Sequence, residues 1–152
     1  MEIRPATPAD YPALADLWYD SWLSVGISNE TDLDRAGVRE RFHREAESRW
    51  TLYTADQDGV LTGLLALIPG ESRIDQIFVT SAAKGTGVGL AMLDFAKGLM
   101  PGGIVLTTHE TNRRARAFYE RQGFRLASSE YDEIHRRTRC RYEWREPAKE
   151  SG

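Results

Sequence analysis

The sequence predicts an α/β fold: a mixed sheet with helices on both faces, its elements in the order β-α-α-β-β-β-α-β-α-β-β. Three observations predict it. Residues 60–68 form a run that is apolar on both faces, the mark of a central strand. Turn signals at Asp56-Gln57-Asp58-Gly59 and Pro69-Gly70-Glu71-Ser72 bracket that run, so hairpin partners flank it. Further along, strands alternate with helical patterns, which calls for β-α-β crossings.

Each element has its own local reason. Glu2-Ile3-Arg4 reads as a short first strand. Thr7-Pro8-Ala9-Asp10 is a helix start, with a Thr cap, Pro at the first helical position and an acid three residues on. Tyr11, Leu14, Ala15, Trp18 and Trp22 then recur at the spacing of one helix face. Past a polar loop, Thr31 with Asp34 predicts a second cap, and Leu33, Val38, Phe42 and Ala46 a second, weaker helix. Residues 50–55, 60–68 and 73–80 are strands. A glycine-rich stretch from Lys84 to Gly89 opens a helix carrying Val88, Met92, Phe95, Ala96 and Leu99, which Pro101-Gly102-Gly103 stops. Residues 104–108 are a strand and 112–121 a helix that Gly123 ends. Strands near 124–130 and 138–144 follow. Residues 1–146 make one domain and 147–152 a frayed tail.

With 152 residues, 41% hydrophobic and 28% charged, the chain can bury a full core, which excludes a disordered protein. Twenty Lys and Arg against 23 Asp and Glu leave a net charge of −3, so no global basic field is available to nucleic acid. The single cysteine, Cys140, makes neither an internal disulfide nor a cysteine metal cluster, which fits a reducing, cytoplasmic setting. Met1-Glu2-Ile3-Arg4 lacks a signal-peptide layout, and no run approaches the ~20 apolar residues of a membrane span. His43, His109 and His135 show no metal-ligand spacing, so no metal is expected.

Lys84-Gly85-Thr86-Gly87-Val88-Gly89 lies between a strand and a helix. A helix start carries N–H groups without internal partners and about half a positive charge. With Thr86 as the cap, the amides of Gly87, Val88 and Gly89 face outward, and glycine lets a bulky anion approach them. Several charge-assisted bonds of about 1.5–3 kcal/mol each suit a pyrophosphate, with Lys84 adding a positive side chain. The plain alternative is a tight turn that binds nothing. A P-loop does not fit, because Val88-Gly89-Leu90 stands where Gly-Lys-Ser/Thr is needed. A dinucleotide fingerprint fits poorly too: Leu90 occupies the third glycine position, and the loop follows the fourth strand, not the first.

Asn112 to Tyr119 begins the next helix. Seven residues at 100° each fall within about 20° of two full turns, so Asn112 and Tyr119 share one face about 10.5 Å apart. Ala115 between them is too small to block a ligand lying along that stripe. Phe118 is rotated away toward the core, and Gly123 makes a left-handed stop in which Phe124 packs back on Phe118. Asn112 also reads as a helix N-cap and Tyr119 as a half-buried core residue.

Together, the loop from Lys84 to Gly89 and the pattern Asn112-x-x-Ala115-x-x-Phe118-Tyr119-Glu120-x-x-Gly123-Phe124 resemble the GCN5-related N-acetyltransferases (GNAT). That family's first motif is Arg/Gln-x-x-Gly-x-Gly/Ala; this chain matches both small positions and departs by placing Lys84 first. The element order matches from Glu2 to about Trp144. The resemblance implies a mostly antiparallel central sheet, with acetyl-CoA lying between two parallel strands that splay apart near Thr80 and Thr108. It implies that backbone groups of Ile77, Phe78 and Val79 pair with the pantetheine arm. The amides of Lys84, Gly85, Thr86, Gly87, Val88 and Gly89 would take the pyrophosphate. Asn112 would hold the cofactor arm, and Tyr119 would face the thioester sulfur as general acid.

Asp75 stands near where the family often keeps a carboxylate and is the expected base, with His109 and Glu110 as rivals; its plain reading is a solvated or ion-paired strand residue. Acceptor sites in the family form from the first two helices and the later hairpin. Trp22, Asn29 and Glu30 fall there, with Asp32 and Asp34 just beyond, and an acid-rich mouth favours a cationic amine. A solvated cap-and-loop region with Trp22 in the core is the plain reading. Arg113, Arg114 and Arg116, with His135-Arg136-Arg137 and Arg139, read as solvated surface beside the CoA 3′-phosphate. The implied activity is acetyl transfer from acetyl-CoA to a primary amine of a small molecule or peptide, by direct attack on the thioester. The rival class is a non-catalytic acyl-CoA-binding regulatory module. Tyr119 and Asn112 favour the enzyme, because a pure binder has no chemical need for the phenol. Dimerisation is common among the proteins it resembles.

Overall fold

A computed structural model of the chain describes residues 1–24, 34–134 and 136–147, without the side chains of 22–24. The elements are β1 (Glu2–Pro5), α1 (Tyr11–Ser24), α2 (Arg35–Ser48), β2 (Thr51–Gln57), β3 (Val60–Ile68), β4 (Arg73–Val79), α3 (Val88–Leu99), β5 (Ile104–His109), α4 (Arg113–Arg121), β6 (Arg125–Asp132) and β7 (Arg137–Trp144). Their order is the one the sequence predicts. The seven strands form one sheet, β1-β2-β3-β4-β5-β7-β6, in which β4 and β5 are the parallel neighbours and every other pair is antiparallel.

Local chemistry sets most boundaries. Thr7 and Asp10 form the expected capping box, but around one 3-10 turn, Pro8–Asp10, before α1 begins at Tyr11. Asp10 also receives the Arg4 guanidinium at 2.8 Å, tying the helix start to the first strand. Asp34 caps α2 by accepting the Gly37 N–H at 2.8 Å, while Thr31, the expected cap, lies outside the described residues. β2 runs through Asp56 and Gln57, two residues past the predicted end, because the hairpin needs only Asp58 and Gly59 at positive φ.

The alternation of β3 splits the core in two. Leu64 and Ala66 face α1 and α2 with Leu14, Trp18, Val38, Phe42 and Trp50. Leu65 and Leu67 face the α3 and α4 side, with Met92, Leu93, Ala96, Leu106 and Tyr142. β3 is therefore buried on both faces from Thr62 to Leu67. Among the described residues no helix is long and apolar enough to cross a membrane.

Candidate active site

The ladder between β4 and β5 is limited to Arg73 opposite Val105, with the Val105 N–H on the Ser72 carbonyl at 2.8 Å. Beyond that point the strands part. β4 stays paired with β3 as far as Val79, opposite Gly63, so its other edge along Ile77, Phe78 and Val79 has no strand beside it. A bulge precedes the split: Gln76 stands opposite Ala66 and Ile74 opposite Leu67, which leaves Asp75 as the extra residue. Bulges bend a strand and re-aim its side chains. The cleft that opens has a volume of about 1440 Å³.

The glycine turn forms one wall. Lys84, Gly85, Gly87 and Gly89 line the cleft, whereas the Val88 side chain is buried in the core and Thr86 does not line it. Thr86 is not the cap that its position suggested. Its hydroxyl donates to the Ala83 carbonyl, which the 3-10 turn Ser81–Ala83 presents to it, and its N–H bonds the same oxygen at 3.2 Å. Gly87 caps α3 instead, at φ 92°. The first helical bond runs from the Ala91 N–H to the Gly87 carbonyl, so the amides of Val88, Gly89 and Leu90 precede the helical ladder. A Cβ built on Gly85 or Gly87 would meet no atom within 4 Å, so this backbone is open to a ligand. Lys84, Arg113, Arg114 and Arg121 also line the cleft. First-turn amides, an uncovered backbone and these four cations fit a phosphate-bearing ligand.

Helix α4 contributes to the lining as well. Asn112, Ala115 and Tyr119 all line the cleft. The Asn112 side chain also caps the helix, its Oδ1 accepting the Ala115 N–H at 3.2 Å. The expected roles of Phe118 and Tyr119 are reversed in depth: Tyr119 is buried and Phe118 only half-buried, although both reach the cleft. Tyr119 packs on Phe124 and Tyr142 at ring-centroid distances of 5.8 and 6.3 Å. Burial pushes its phenol above the ordinary tyrosine range. Phe124 packs on Tyr119 rather than Phe118 because of how the helix ends. With Gly123 at φ 90°, the Gly123 N–H bonds Glu120 O and the Phe124 N–H bonds Tyr119 O, at 3.2 and 3.0 Å. That Schellman pairing sets Phe124 against the residue whose carbonyl it caps.

Where the sheet faces α1 and α2, Asp75 lines the cleft. The Trp50 indole N–H donates to its Oδ2 at 2.8 Å, and Arg49 Nη2 lies 4.0 Å from Oδ1. Its neighbour Gln76 receives the Trp18 indole N–H at 3.1 Å. Adjacent strand residues normally point to opposite faces; the bulge lets both meet one tryptophan layer. Of the rival bases, His109 lines the cleft, whereas Glu110 does not and is exposed. Arg116 is also out of the cleft: its Nε donates to Tyr142 Oη at 3.0 Å and its Nη1 to Glu110 O at 3.1 Å.

The expected acceptor residues Asn29 and Glu30, and the side chain of Trp22, lie outside the described residues. The described lining at that end is Trp18, Ser21 and Arg41 from the first two helices, with Arg137 and Arg139 from β7. Burial and the like charge of Arg139 hold Arg137 below the usual arginine range. Among the described lining residues Asp75 is the one carboxylate, so they supply no acid-rich mouth. Sequence reasoning missed Trp50 and Gln76, whose parts depend on contacts across the fold. Arg137-x-Arg139 carried a visible signal, the alternation of a strand.

An open glycine turn and a tyrosine-bearing helix line one cleft where the parallel strands part, and the cations there fit a phosphate-bearing ligand. The chain belongs to the GCN5-related N-acetyltransferase family, the acetyl-CoA-dependent N-acetyltransferases: the model of the Acetyltransferase (GNAT) domain matches residues 28–137. It is 26% identical over 140 residues to the probable N-acetyltransferase Rv2775 of Mycobacterium tuberculosis, covering 83% of this chain and 80% of that protein. It is 27% identical over 127 residues to the peptidyl-lysine N-acetyltransferase YiaC of Escherichia coli, covering 82% and 83%. The fold is shared with yncA of Salmonella typhimurium, solved with its cofactor acetyl-CoA, at a TM-score of 0.71 and 16% identity over 100% of this chain and 97% of that one.

Proposed function

We propose that residues 1–146 form one acetyltransferase domain, with 147–152 as a tail, that moves an acetyl group from acetyl-CoA to a primary amine of a small molecule or peptide by direct attack on the thioester. The observation that carries this reading is the placement of Tyr119 and Asp75 on the lining of one cleft whose wall is the glycine turn. Acetyl-CoA supplies the activated thioester. The amides of Gly85, Gly87, Val88 and Gly89 bind the phosphates, since the Lys84 and Thr86 N–H groups are held by the Ser81 and Ala83 carbonyls. The free edge of Ile77, Phe78 and Val79 orients the pantetheine arm, and Asn112 flanks it. The acetylation of peptidyl lysine by the Escherichia coli relative supports an amine acceptor. The lone, buried Cys140 supports a reducing, cytoplasmic setting.

An alkyl amine with a pKa of about 10.4 is mostly protonated at neutral pH, and freeing it costs about 4–5 kcal/mol. Asp75 is the base: the Trp50 indole holds Oδ2, and Oδ1, with Arg49 Nη2 4.0 Å away, receives the proton. His109 on the same lining is the second candidate. Tyr119 keeps its proton on Oη, because burial favours the neutral phenol. A thiolate in the same dry environment is also made more basic, so the phenol remains a matched donor for a sulfur that develops charge.

The test couples calorimetric titration with acetyl-CoA to thiol release across an amine panel. Tyr119→Phe should lower kcat about 10²-fold while acetyl-CoA affinity stays within about twofold. An unchanged rate where chemistry is limiting removes Tyr119 from the mechanism.

A further inference from the structure

Strand β7 divides its side chains between the two faces of the sheet. Cys140, Tyr142 and Trp144 enter the core shared with α3 and α4. Alternation therefore places Arg137, Arg139 and Arg141 on the other face, the side of α1 and α2. Arg139 stands opposite His109, the last residue of β5, at the end where β4 and β5 have parted.

The three arginines differ in what surrounds them. Arg141 Nε lies 3.4 Å from Glu143 Oε1, and Arg141 is off the cleft lining. Arg137 and Arg139 are on it. Their ladder neighbours on β6, Asp132 and Glu130, are not, and Asp132 Oδ1 accepts the Ile134 N–H at 3.0 Å. A further guanidinium, that of Arg41, reaches the lining from α2, 5.6 Å from the centre of the Trp18 ring. Against these charges the described lining sets one carboxylate, Asp75.

Guanidiniums at alternate positions of one strand face are about 7 Å apart along the backbone and repel each other. A carboxylate between them relieves that repulsion and accepts from both forks. A primary amine arrives as a cation, so a second positive group on the acceptor would meet the arginines unfavourably, whereas a negative one would be drawn to them. We infer, resting on the reading of this cleft as a site of amine acetylation, that the acceptor carries a carboxylate beside its amine and that Arg137 and Arg139 hold it. Amino acids and lysine peptides with acidic neighbours belong to this class; polyamines do not.

Thiol release from acetyl-CoA is compared for two matched pairs of amines, with spermidine as the cationic extreme. Free lysine against lysinamide reads an α-carboxylate. A lysine peptide flanked by glutamates against its glutamine counterpart reads a side-chain carboxylate. In at least one pair the carboxylate member should have kcat/KM about tenfold or more above its neutral partner, mainly through KM, and salt should narrow the margin. Arg139→Gln, at an exposed position, should bring that pair within about threefold, and Arg139→Glu should reverse its order. Arg137→Gln should act in the same direction; because Arg137 is half-buried, melting curves accompany it. Arg141→Gln should keep the margin. Calorimetric titration of the CoA-saturated protein with the same amines reads docking without turnover. Preferential binding of the carboxylate members without thiol release would remove the transfer reading and keep the carboxylate subsite. Equal acetylation within both pairs, or a preference for spermidine, overturns the inference while transfer stands. So does a margin that Arg139→Gln leaves unchanged, and so does a failure of every carboxylate-bearing amine to bind.

Discussion

Two alanine substitutions two positions apart should behave in opposite ways. Gly87 caps α3 at φ 92°, where a side chain is strained whatever the surrounding space. Gly89 lies inside the helix, and a Cβ there would make ordinary contacts, 3.6 Å from Val79 Cγ2 and 3.8 Å from Phe118 Cζ. Holding a non-glycine residue left-handed costs about 1–2 kcal/mol. Gly87→Ala should therefore melt about 3–8 °C lower if the loop keeps its shape. If the loop relaxes instead, the first-turn amides lose their common aim, and each charge-assisted bond lost, at about 1.5–3 kcal/mol, weakens acetyl-CoA binding tenfold or more. Gly89→Ala should gain from zero to about 1 kcal/mol, since alanine suits a helix better than glycine does, and should bind within about twofold of the parent. Melting curves and calorimetric titration with acetyl-CoA on all three proteins decide the matter. Equal losses in the two variants would refute the reasoning. The same contrast accounts for a family motif that demands glycine at the first small position and accepts alanine at the second.

Gly63→Ala should destabilise the core by about 1–3 kcal/mol, because the new Cβ would lie 2.7 Å from Met92 Sδ and 3.2 Å from Ala55 Cβ; an unchanged melting temperature would contradict this. Arg4 holds the Asp10 carboxyl down to about 2 from its ordinary 3.8. A depressed folded-state value means that stability is present above the unfolded value and is lost as pH falls through that window. Asp10→Asn should flatten the stability profile between those values and cost about 1 kcal/mol at neutral pH after solvent screening, as acid-titrated melts would report. Asp75→Asn should lower kcat and alter the pH–rate profile, and a profile that stays unmoved assigns the base to His109 or to water. Since burial raises the Tyr119 phenol, turnover should show no loss from tyrosine ionisation up to about pH 10; a falling limb that Tyr119→Phe removes would contradict that.

What was legible in the sequence had its cause within a few residues. The capping box at Thr7 and Asp10, the hairpin at Asp58-Gly59 and the left-handed stop at Gly123 are each one turn of chain satisfying its own backbone groups. The apolar run of β3 announced a strand buried on both faces, because alternation leaves no other way to hide it. The shared face of Asn112 and Tyr119 followed from the helical period alone.

Which way that face turned was a tertiary matter. Helical spacing relates residues to one another, not to the sheet, so the depth of Tyr119 and Phe118 waited on where α4 docked. Thr86 lost the cap to Gly87 because the Ala83 carbonyl captured its hydroxyl. The setting of Asp75 needed a bulge in β4 and an indole from Trp50, 25 positions away. The sequence alone determined the elements, their order and the glycine turn, since periodicity and backbone demand act locally, and its two motifs carried the resemblance to the family. Only the folded structure decided where the strands part and which groups line the gap, because those depend on distant residues packing against one another.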